Sequence, residues 1–233
     1  MVEQRSAIPV IGFTGGVGAG KSALAAWLGA RLELRVLDAD EAGHRALREP
    51  AIRHELVAHF GPEILEERGE IARPRLARLV FGDSPEHQRA RQQLESIVHP
   101  AIRRRLHEQL AEIQRLGEAE LVILDAAVML ESGWSELCDL IVFVETTFEV
   151  RSERVAATRG WSEDELRRRE ASQWPLDRKR AASDAVVDNS ASLADACDEL
   201  CASSVPVFHN WPPRLDSRSW RRNEVLAHDQ SGH

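Results

Sequence analysis

The sequence has few cysteines, no long apolar run and no excess of positive charge. Its three cysteines form no C-x-x-C pair, so the sequence predicts neither a disulfide framework nor a structural zinc site. No apolar stretch is long enough to cross a bilayer, and residues 1–7 lack the apolar centre of a secretory signal. The net charge of −8 gives no general reason to expect nucleic acid or an anionic membrane as a partner. Together these absences favour a cytoplasmic enzyme.

Lysine is scarce, and the two lysines narrow the class of protein. Of the 30 basic residues, only Lys21 and Lys179 are lysine, so arginine fills the other cationic positions. GTPases of the Ras type bind guanine through an N-K-x-D segment, and neither lysine lies in one. The L-S-G-G-Q signature of transport ATPases is also missing. A lysine at position 21 indicates a need for a compact point charge, which the guanidinium group of arginine does not provide.

Residues 15–22 complete the pattern G-x-x-x-x-G-K-[ST] of a phosphate-binding P-loop. An apolar run, 8–13, precedes them and a helical stretch, 22–32, follows, which is the strand-to-helix context of the motif. Backbone N–H groups would surround phosphate oxygens, Lys21 would contact the β- and γ-phosphates, and Ser22 would place its hydroxyl on Mg²⁺. A glycine-rich turn without a ligand is the alternative. The residues predicted to bind the nucleotide are Gly15, Gly16, Val17, Gly18, Ala19, Gly20, Lys21 and Ser22.

Five apolar runs predict a parallel sheet. Such strands are buried on both faces and therefore do not alternate polar and apolar residues. Helical stretches lie between the runs, and this order of strand and helix is typical of an α/β fold with helices on both faces of the sheet. We predict a three-layer α/β/α P-loop core with a five-stranded parallel sheet, whose strands lie at residues 8–13, 34–37, 121–124, 140–144 and 185–187.

Two helical insertions interrupt the predicted core. The first contains no convincing strand, and Pro100 marks a break or kink between helices at 87–98 and 101–116. The second is rich in arginine and contains a capping box at 162–165, which opens a helix that runs to about Gln173. Its arginine run, 167–169, is interpreted as a solvated helix face that pairs with Glu163, Asp164, Glu165 and Glu170, with contact to phosphates as the alternative. The predicted boundaries are 1–40, 118–150 and 183–203 for the core, 41–117 for the helical subdomain, 151–182 for a lid, and 204–233 for an irregular tail.

Two acids end the second predicted strand, in the segment Val36-Leu37-Asp38-Ala39-Asp40. In extended backbone both carboxylates would point to the same side, and in open α/β sheets ligands bind at the carboxyl ends of the strands. An acid there could accept a proton from a substrate hydroxyl. Alternatively, one of the two acids caps the following helix, predicted at 41–47. A kinase that phosphorylates a small molecule is therefore the leading class.

A third acid, Asp125, directly follows the predicted strand at 121–124. This is the position of a Walker B aspartate, from which the carboxylate could act on Mg²⁺ through a water molecule. The alternative role is a hydrogen bond that fixes the loop leading to Glu131. Metal ligation is thus predicted for Ser22 and Asp125.

With these motifs in place, the sequence resembles the dephospho-coenzyme A kinases over roughly residues 8–200. The P-loop alone is unspecific, whereas the D-A-D, H-P and D-x-V-[IV]-D-N segments together with it are specific. One departure is Ala127, which stands where the family has proline and leaves the loop 125–131 less restrained. The matching segments, in the family's order, are 11–22, 36–40 with His44, 94–102, 159–163 leading to Gln173, and Lys179 with 183–189.

The resemblance implies a P-loop kinase with a helical substrate-binding insertion and a helical lid. Such an enzyme transfers the γ-phosphoryl group of ATP, with Mg²⁺, to the ribose 3′-hydroxyl of dephospho-coenzyme A, the last step of coenzyme A biosynthesis. Asp40 would orient that hydroxyl and accept its proton, and Lys21, Arg151 and Arg154 would complete the catalytic set when the lid closes. The resemblance implies a small-molecule substrate, dephospho-coenzyme A, and the composition predicts no nucleic acid or membrane partner. The chain is expected to be a monomer or a weak homo-oligomer.

Further residues take roles through the same resemblance. Arg159 is a third lid arginine that could reach the ATP phosphates, and Lys179 would help; each of these cations could instead pair with a carboxylate of the lid. Asn189 would hydrogen-bond adenine, although asparagine after a strand is also an ordinary turn former. His44 and His99 have a structural hydrogen bond as the alternative to ligand contact. The residues expected to contact the substrate are Thr14, Asp38, Asp40, His44, His99 and Glu131.

Two other functions stay open at this point. A kinase with the same core could phosphorylate another hydroxyl acceptor, such as a nucleoside or a sugar. The chain could also be a nucleotide-binding regulatory module without turnover. An inactive scaffold would have little reason to keep both the complete P-loop and Asp40.

Overall fold

The computed structural model describes residues 7–30, 33–82 and 84–202. The chain divides into two compact units, the first within residues 1–36 and 119–233 and the second within Leu37–Glu118. The tail predicted at 204–233 lies outside the described residues. Within the described ranges, no helix is both long enough and apolar enough to cross a membrane.

The predicted five-stranded parallel sheet is confirmed. The strands follow the order β2-β3-β1-β4-β5, so β1 lies in the middle with a neighbour on each side. All six residues of β1 are buried, which explains its continuous apolar run. The strands are β1 (Val10–Gly15), β2 (Leu34–Asp38), β3 (Leu121–Asp125), β4 (Leu140–Glu145) and β5 (Ala185–Asp188).

Helices connect the strands, and several begin at a side chain that caps them. Ser84, Thr147 and Ser162 each accept a hydrogen bond from the backbone N–H three residues further on, which satisfies a donor that the helix leaves unpaired. The helix predicted to begin at Ser162 is therefore confirmed, with Ser162 as its N-cap. The helices are α1 (Lys21–Gly29), α2 (Ala39–Ala46), α3 (Pro50–Phe60), α4 (Arg73–Val80), α5 (Pro85–Leu116), α6 (Phe148–Arg159), α7 (Glu163–Ala171), α8 (Leu176–Ala181) and α9 (Leu193–Ala202).

The core of the first unit forms where β1, α1 and α9 pack together. Ile11 and Phe13 of β1 lie against Leu24 and Leu28 of α1 and Leu200 of α9, and all five side chains are buried. Burial of this apolar surface is the main stabilising term for the unit. Because both β1 and α1 are anchored in the core, the loop that joins them is held at both ends.

The sequence predicts a break or a kink at Pro100, and the break is wrong. Helix α5 runs through Pro100 without interruption for 32 residues, from Pro85 to Leu116. Proline removes one backbone hydrogen bond from a helix, but packing of neighbouring helices can outweigh that loss. Here α5 packs on α2, α3 and α4 within the second unit. The buried side chains around the proline are Val98, Ala101, Ile102 and Leu106.

The expectation that Asp38 and Asp40 share one side of an extended strand is also wrong. Helix α2 begins at Ala39, so Asp40 lies in its first turn. Asp38 is the extended residue that precedes the helix, and its Oδ1 accepts the Glu41 backbone N–H at 2.9 Å. Asp38 is therefore the helix cap, which was the alternative role considered for one of these acids.

This cap predicts a defined change in stability. Replacing Asp38 with alanine removes the acceptor for an otherwise unpaired N–H, and we expect the free energy of unfolding to fall by about 1 kcal/mol. Asparagine is an equally good cap, so Asp38→Asn should unfold close to wild type. Urea unfolding followed by circular dichroism measures both variants. Equal losses in the two variants would show that the charge, and not the cap, is what matters.

Candidate active site

The P-loop closes tightly between β1 and α1. Gly18 has a φ of 79° and Gly20 a φ of 86°, a left-handed backbone region that residues with a Cβ rarely adopt. Gly20 directly precedes α1, and a Cβ there would lie only 2.4 Å from Nδ2 of Asn189. Both the turn and the close approach of Asn189 therefore require glycine. The arrangement leaves the N-terminus of α1 at the end of the loop, where an anion is favoured.

Lys21 lies at the first turn of α1 and its ammonium is held by the loop. Its Nζ donates to the carbonyl oxygens of Gly16 at 3.0 Å and Gly15 at 3.4 Å. Burial lowers the pKa of Lys21 to about 8, although the nearby Asp125 carboxylate raises it. Three other positive charges lower the pKa further, those of Lys179, Arg159 and Arg151. Such a crowded positive environment suits a polyanionic ligand, which would offset the repulsion between these cations.

Ser22 and Asp125 form the predicted pair at the carboxyl end of the sheet. The Ser22 hydroxyl donates to Oδ2 of Asp125, which is the last residue of β3. A hydroxyl and a carboxylate are the hard oxygen groups that Mg²⁺ prefers, and Mg²⁺ usually takes its other ligands from phosphates and water. Among the described residues, no group of three or more His, Cys, Asp and Glu could hold a metal. The Ser22 hydroxyl and the Asp125 carboxylate fit a Mg²⁺ ion that brings phosphate and water ligands with it.

The carbonyl oxygen of Ala19, within the P-loop, receives three donors from distant segments. Nδ2 of Asn189 lies at 2.8 Å, Oγ1 of Thr146 at 3.1 Å and a guanidinium nitrogen of Arg154 at 3.4 Å. Arg154 also donates to the Asn189 carbonyl at 2.9 Å. These contacts fix the peptide that leads into Gly20. Sequence reasoning missed Thr146, because a threonine after a strand carries no local signal of such a contact.

Asn189 has a further feature that bears on its predicted role. Its side chain is fully buried, and its Oδ1 has no hydrogen-bond partner within the described part of the chain. A buried amide oxygen without a donor is unfavourable, and such atoms are often completed by a ligand. Asn189 therefore offers one acceptor beside the P-loop.

Arg151 is buried against the P-loop. Its exposed fraction is 4%, and its guanidinium donates to the carbonyls of Thr146 at 3.1 Å and Val17 at 3.3 Å. It also forms an ion pair with Glu170 of α7. Glu170 was predicted to pair with the arginine run on its own helix and not to belong to the site, and that predicted partner is wrong. By contrast, the solvated helix face predicted for 167–169 is confirmed, since these arginines pair with Glu163, Asp164 and Glu165 on their own helix.

Lys179, on α8, bonds to the loop that follows β3. Its side chain is fully buried, and its Nζ lies 2.8 Å from Oε1 of Gln173, 3.0 Å from the Ala127 carbonyl and 3.0 Å from Oε1 of Glu131. The same Glu131 oxygen accepts the Trp174 N–H at 2.8 Å. The loop at Ala127, which lacks the proline of the resembling family, is therefore restrained by a lysine. The ammonium predicted to help at the phosphates is engaged by protein oxygens.

This buried pair predicts a large loss of stability. Replacing Lys179 with methionine leaves the Glu131 carboxylate without its counter-charge, and we expect the free energy of unfolding to fall by about 3 kcal/mol. Arg180→Met is the matched control on the same helix, because Arg180 pairs with Glu145 where both side chains are about half exposed; its loss should stay below about 1 kcal/mol. Urea unfolding compares the two. Equal losses would contradict a structural role for the buried pair.

The remaining predicted residues fall into two groups. Thr14 is a buried residue of β1 in the first unit. Asp38, Asp40, His44 and His99 belong to the second unit. Burial lowers the pKa of His99, against the raising effect of Glu95. The residues that the structure brings together around the P-loop are Lys21, Ser22, Asp125, Arg151, Arg154 and Asn189.

A parallel sheet with a P-loop after its central strand, and a Ser–Asp pair beside the loop lysine, define a P-loop nucleotide-binding protein. The family model described as CoaE, dephospho-CoA kinase, matches residues 9–195. The chain therefore belongs to the dephospho-CoA kinase family.

Individual relatives agree with this assignment. The dephospho-CoA kinase of Geobacillus kaustophilus is 37% identical over 194 residues, which cover 82% of this chain and 93% of the relative. That of Thermobifida fusca is 33% identical over 210 residues, or 89% of this chain and 98% of the relative. Among solved structures, TT1252 from Thermus thermophilus aligns with a TM-score of 0.70 at 34% identity and covers 86% of this chain and 100% of its own.

Proposed function

We propose that this protein transfers the γ-phosphoryl group of ATP to the ribose 3′-hydroxyl of dephospho-coenzyme A, producing coenzyme A and ADP. The observation that carries the proposal is the complete P-loop, with Lys21 held in it and Ser22 bonded to Asp125, in a member of the dephospho-CoA kinase family. We also propose that the protein acts in the cytoplasm and is a monomer or a weak homo-oligomer.

The P-loop residues suit the electrostatics of phosphoryl transfer. In a loose transition state, negative charge spreads over the transferred oxygens, and catalysis consists mainly of positioning and charge stabilisation. The loop N–H groups and the Lys21 ammonium would stabilise that charge without reorganising. Ser22 and Asp125 would hold Mg²⁺, which neutralises phosphate charge when bound.

Residues behind the loop would position the nucleotide. Arg154, together with Thr146 and Asn189, holds the Ala19 carbonyl and so orients the peptides that face the phosphates. The unpartnered Oδ1 of Asn189 would accept a hydrogen bond from the amino group of adenine. Arg151 would hold the loop and contribute positive charge near the terminal phosphate.

Most residues proposed to bind the phosphoryl acceptor belong to the second unit. Asp40, in the first turn of α2, would orient the ribose hydroxyl and accept its proton late in the transfer. His44 and His99 would contribute to the coenzyme A site on α2 and α5. Thr14 and Glu131 are further proposed substrate contacts.

A coupled assay of ADP release tests this function. We expect ADP formation with dephospho-coenzyme A well above the blank without acceptor, and none with adenosine or gluconate. ADP release with adenosine or gluconate alone would identify a kinase with another acceptor. No ADP above the blank with any of the three would leave a nucleotide-binding module without turnover.

A further inference from the structure

Val17, in the middle of the P-loop, is held on both sides of its backbone by one ion pair. Its N–H donates to Oε1 of Glu170 at 3.1 Å, and its carbonyl accepts from Arg151 at 3.3 Å. Arg151 lies on α6 and Glu170 on α7, far from Val17 in sequence. Arg151 and Glu170 also pair directly with each other. The three residues thus form a closed clamp on the loop.

The side chains of Arg151 and Glu170 approach the backbone of Gly16 closely. A Cβ at Gly16 would lie 2.6 Å from a guanidinium nitrogen of Arg151 and 3.0 Å from Oε1 of Glu170. A side chain at this position would therefore force the guanidinium of Arg151 to move from its present place. The glycine therefore serves the approach of the pair to the backbone, in addition to the motif's need for a tight turn.

Glu170 differs from the neighbouring acids of its helix. Glu163 pairs with Arg167 at 3.0 Å, and both side chains are 58% exposed. Glu165 pairs with Arg168 and Arg169, also on α7. Glu170 is only 20% exposed and its partners are Arg151, on another helix, and the P-loop backbone. Its carboxylate also compensates the charge of the buried Arg151.

We propose that Glu170 is a positioning residue for the nucleotide site, acting through Val17 and Arg151. It keeps the loop N–H groups ordered before the nucleotide arrives, so that binding does not have to order them. Glu170 itself touches no reacting atom. The inference rests on the proposed function only in assigning ATP as the ligand of this loop.

Direct titration of ATP by calorimetry tests this role, with Glu170→Ala, Glu170→Gln and the control Glu163→Ala. We expect Glu170→Ala to weaken ATP binding about 10-fold, since a hydrogen bond to a charged group and its ordering effect are lost. Glu170→Gln keeps an oxygen that accepts the Val17 N–H, so its loss should stay within about threefold. Glu163→Ala should match wild type, because its pair is exposed. In steady state, the KM for ATP should rise while the KM for the acceptor stays unchanged.

Unchanged ATP affinity in folded Glu170→Ala would overturn the proposal and leave Glu170 with a purely structural role. Tighter ATP binding would also overturn it, because Glu170 would then compete with the phosphates for the loop. If Glu170→Ala does not fold, Glu170→Asp takes its place: the shorter side chain keeps the charge but not the reach to Val17, and ATP binding should weaken. The titration needs no acceptor, so its outcome is independent of whether dephospho-coenzyme A is the substrate.

Discussion

We expect turnover to fall by roughly 10²–10⁴-fold when Asp40 is replaced with asparagine, and the dissociation constant for ATP to stay close to that of wild type. Asparagine is nearly the same size as aspartate, but it cannot take the proton of the acceptor hydroxyl. The ATP contacts proposed above belong to the P-loop unit, so the variant leaves them intact. Steady-state kinetics with dephospho-coenzyme A and a separate ATP titration measure the two quantities.

The neighbouring acid provides the control for Asp40. Glu41 lies in the same first turn of α2 and pairs with Arg45 where both side chains are half exposed or more. Glu41→Gln removes the same charge from the same helix end, and its turnover should remain close to wild type. Normal turnover in Asp40→Asn would remove Asp40 from the catalytic role, and an equal fall in Glu41→Gln would point to a general effect of charge on α2.

The second large effect is expected at the loop lysine. Lys21→Met should lower turnover by roughly 10²–10³-fold, because the variant lacks the charge that we propose stabilises the transferred phosphoryl group. ATP binding should weaken as well. Lys21→Arg should not restore activity, since the guanidinium fork is wider than the ammonium that fits between the Gly15 and Gly16 carbonyls.

Rapid-quench kinetics and an ATP titration measure the Lys21 variants. Arg89→Met is the control for the loss of one positive charge, because Arg89 makes an exposed pair with Glu86 on α5. Its activity should equal that of wild type. Wild-type turnover in Lys21→Met would contradict the proposed role of the loop lysine, and full activity in Lys21→Arg would contradict the argument from its shape.

Local signals made the sheet and the P-loop predictable. The apolar runs located all five strands, yet each predicted strand ends one or two residues before the observed one. The reason is chemical, because none of the omitted end residues carries an apolar side chain: they are Thr14, Gly15, Asp38, Asp125, Glu145 and Asp188. A search for apolar runs excludes these residues, although the carboxyl ends of the strands are where an α/β enzyme places its polar groups.

Residues that act through long-range contacts could not be predicted in the same way. Thr146 reaches a P-loop carbonyl 127 positions away, and Glu170 reaches a P-loop N–H 153 positions away. No periodicity or short motif in the sequence predicts hydrogen bonds between residues so far apart. The break predicted at Pro100 is wrong for a related reason. Proline disfavours a helix interior, but the packing of α5 on α2, α3 and α4 decides whether the helix continues.

The most direct test of the central claim is identification of the product by mass spectrometry and phosphorus NMR after incubation with ATP, Mg²⁺ and dephospho-coenzyme A. We predict coenzyme A with the new phosphate on the ribose 3′-oxygen, formed in equal amount with ADP. An analogue that lacks the 3′-hydroxyl should give neither product. ADP released without a phosphorylated acceptor, or a phosphate attached at another position, would contradict the proposed function.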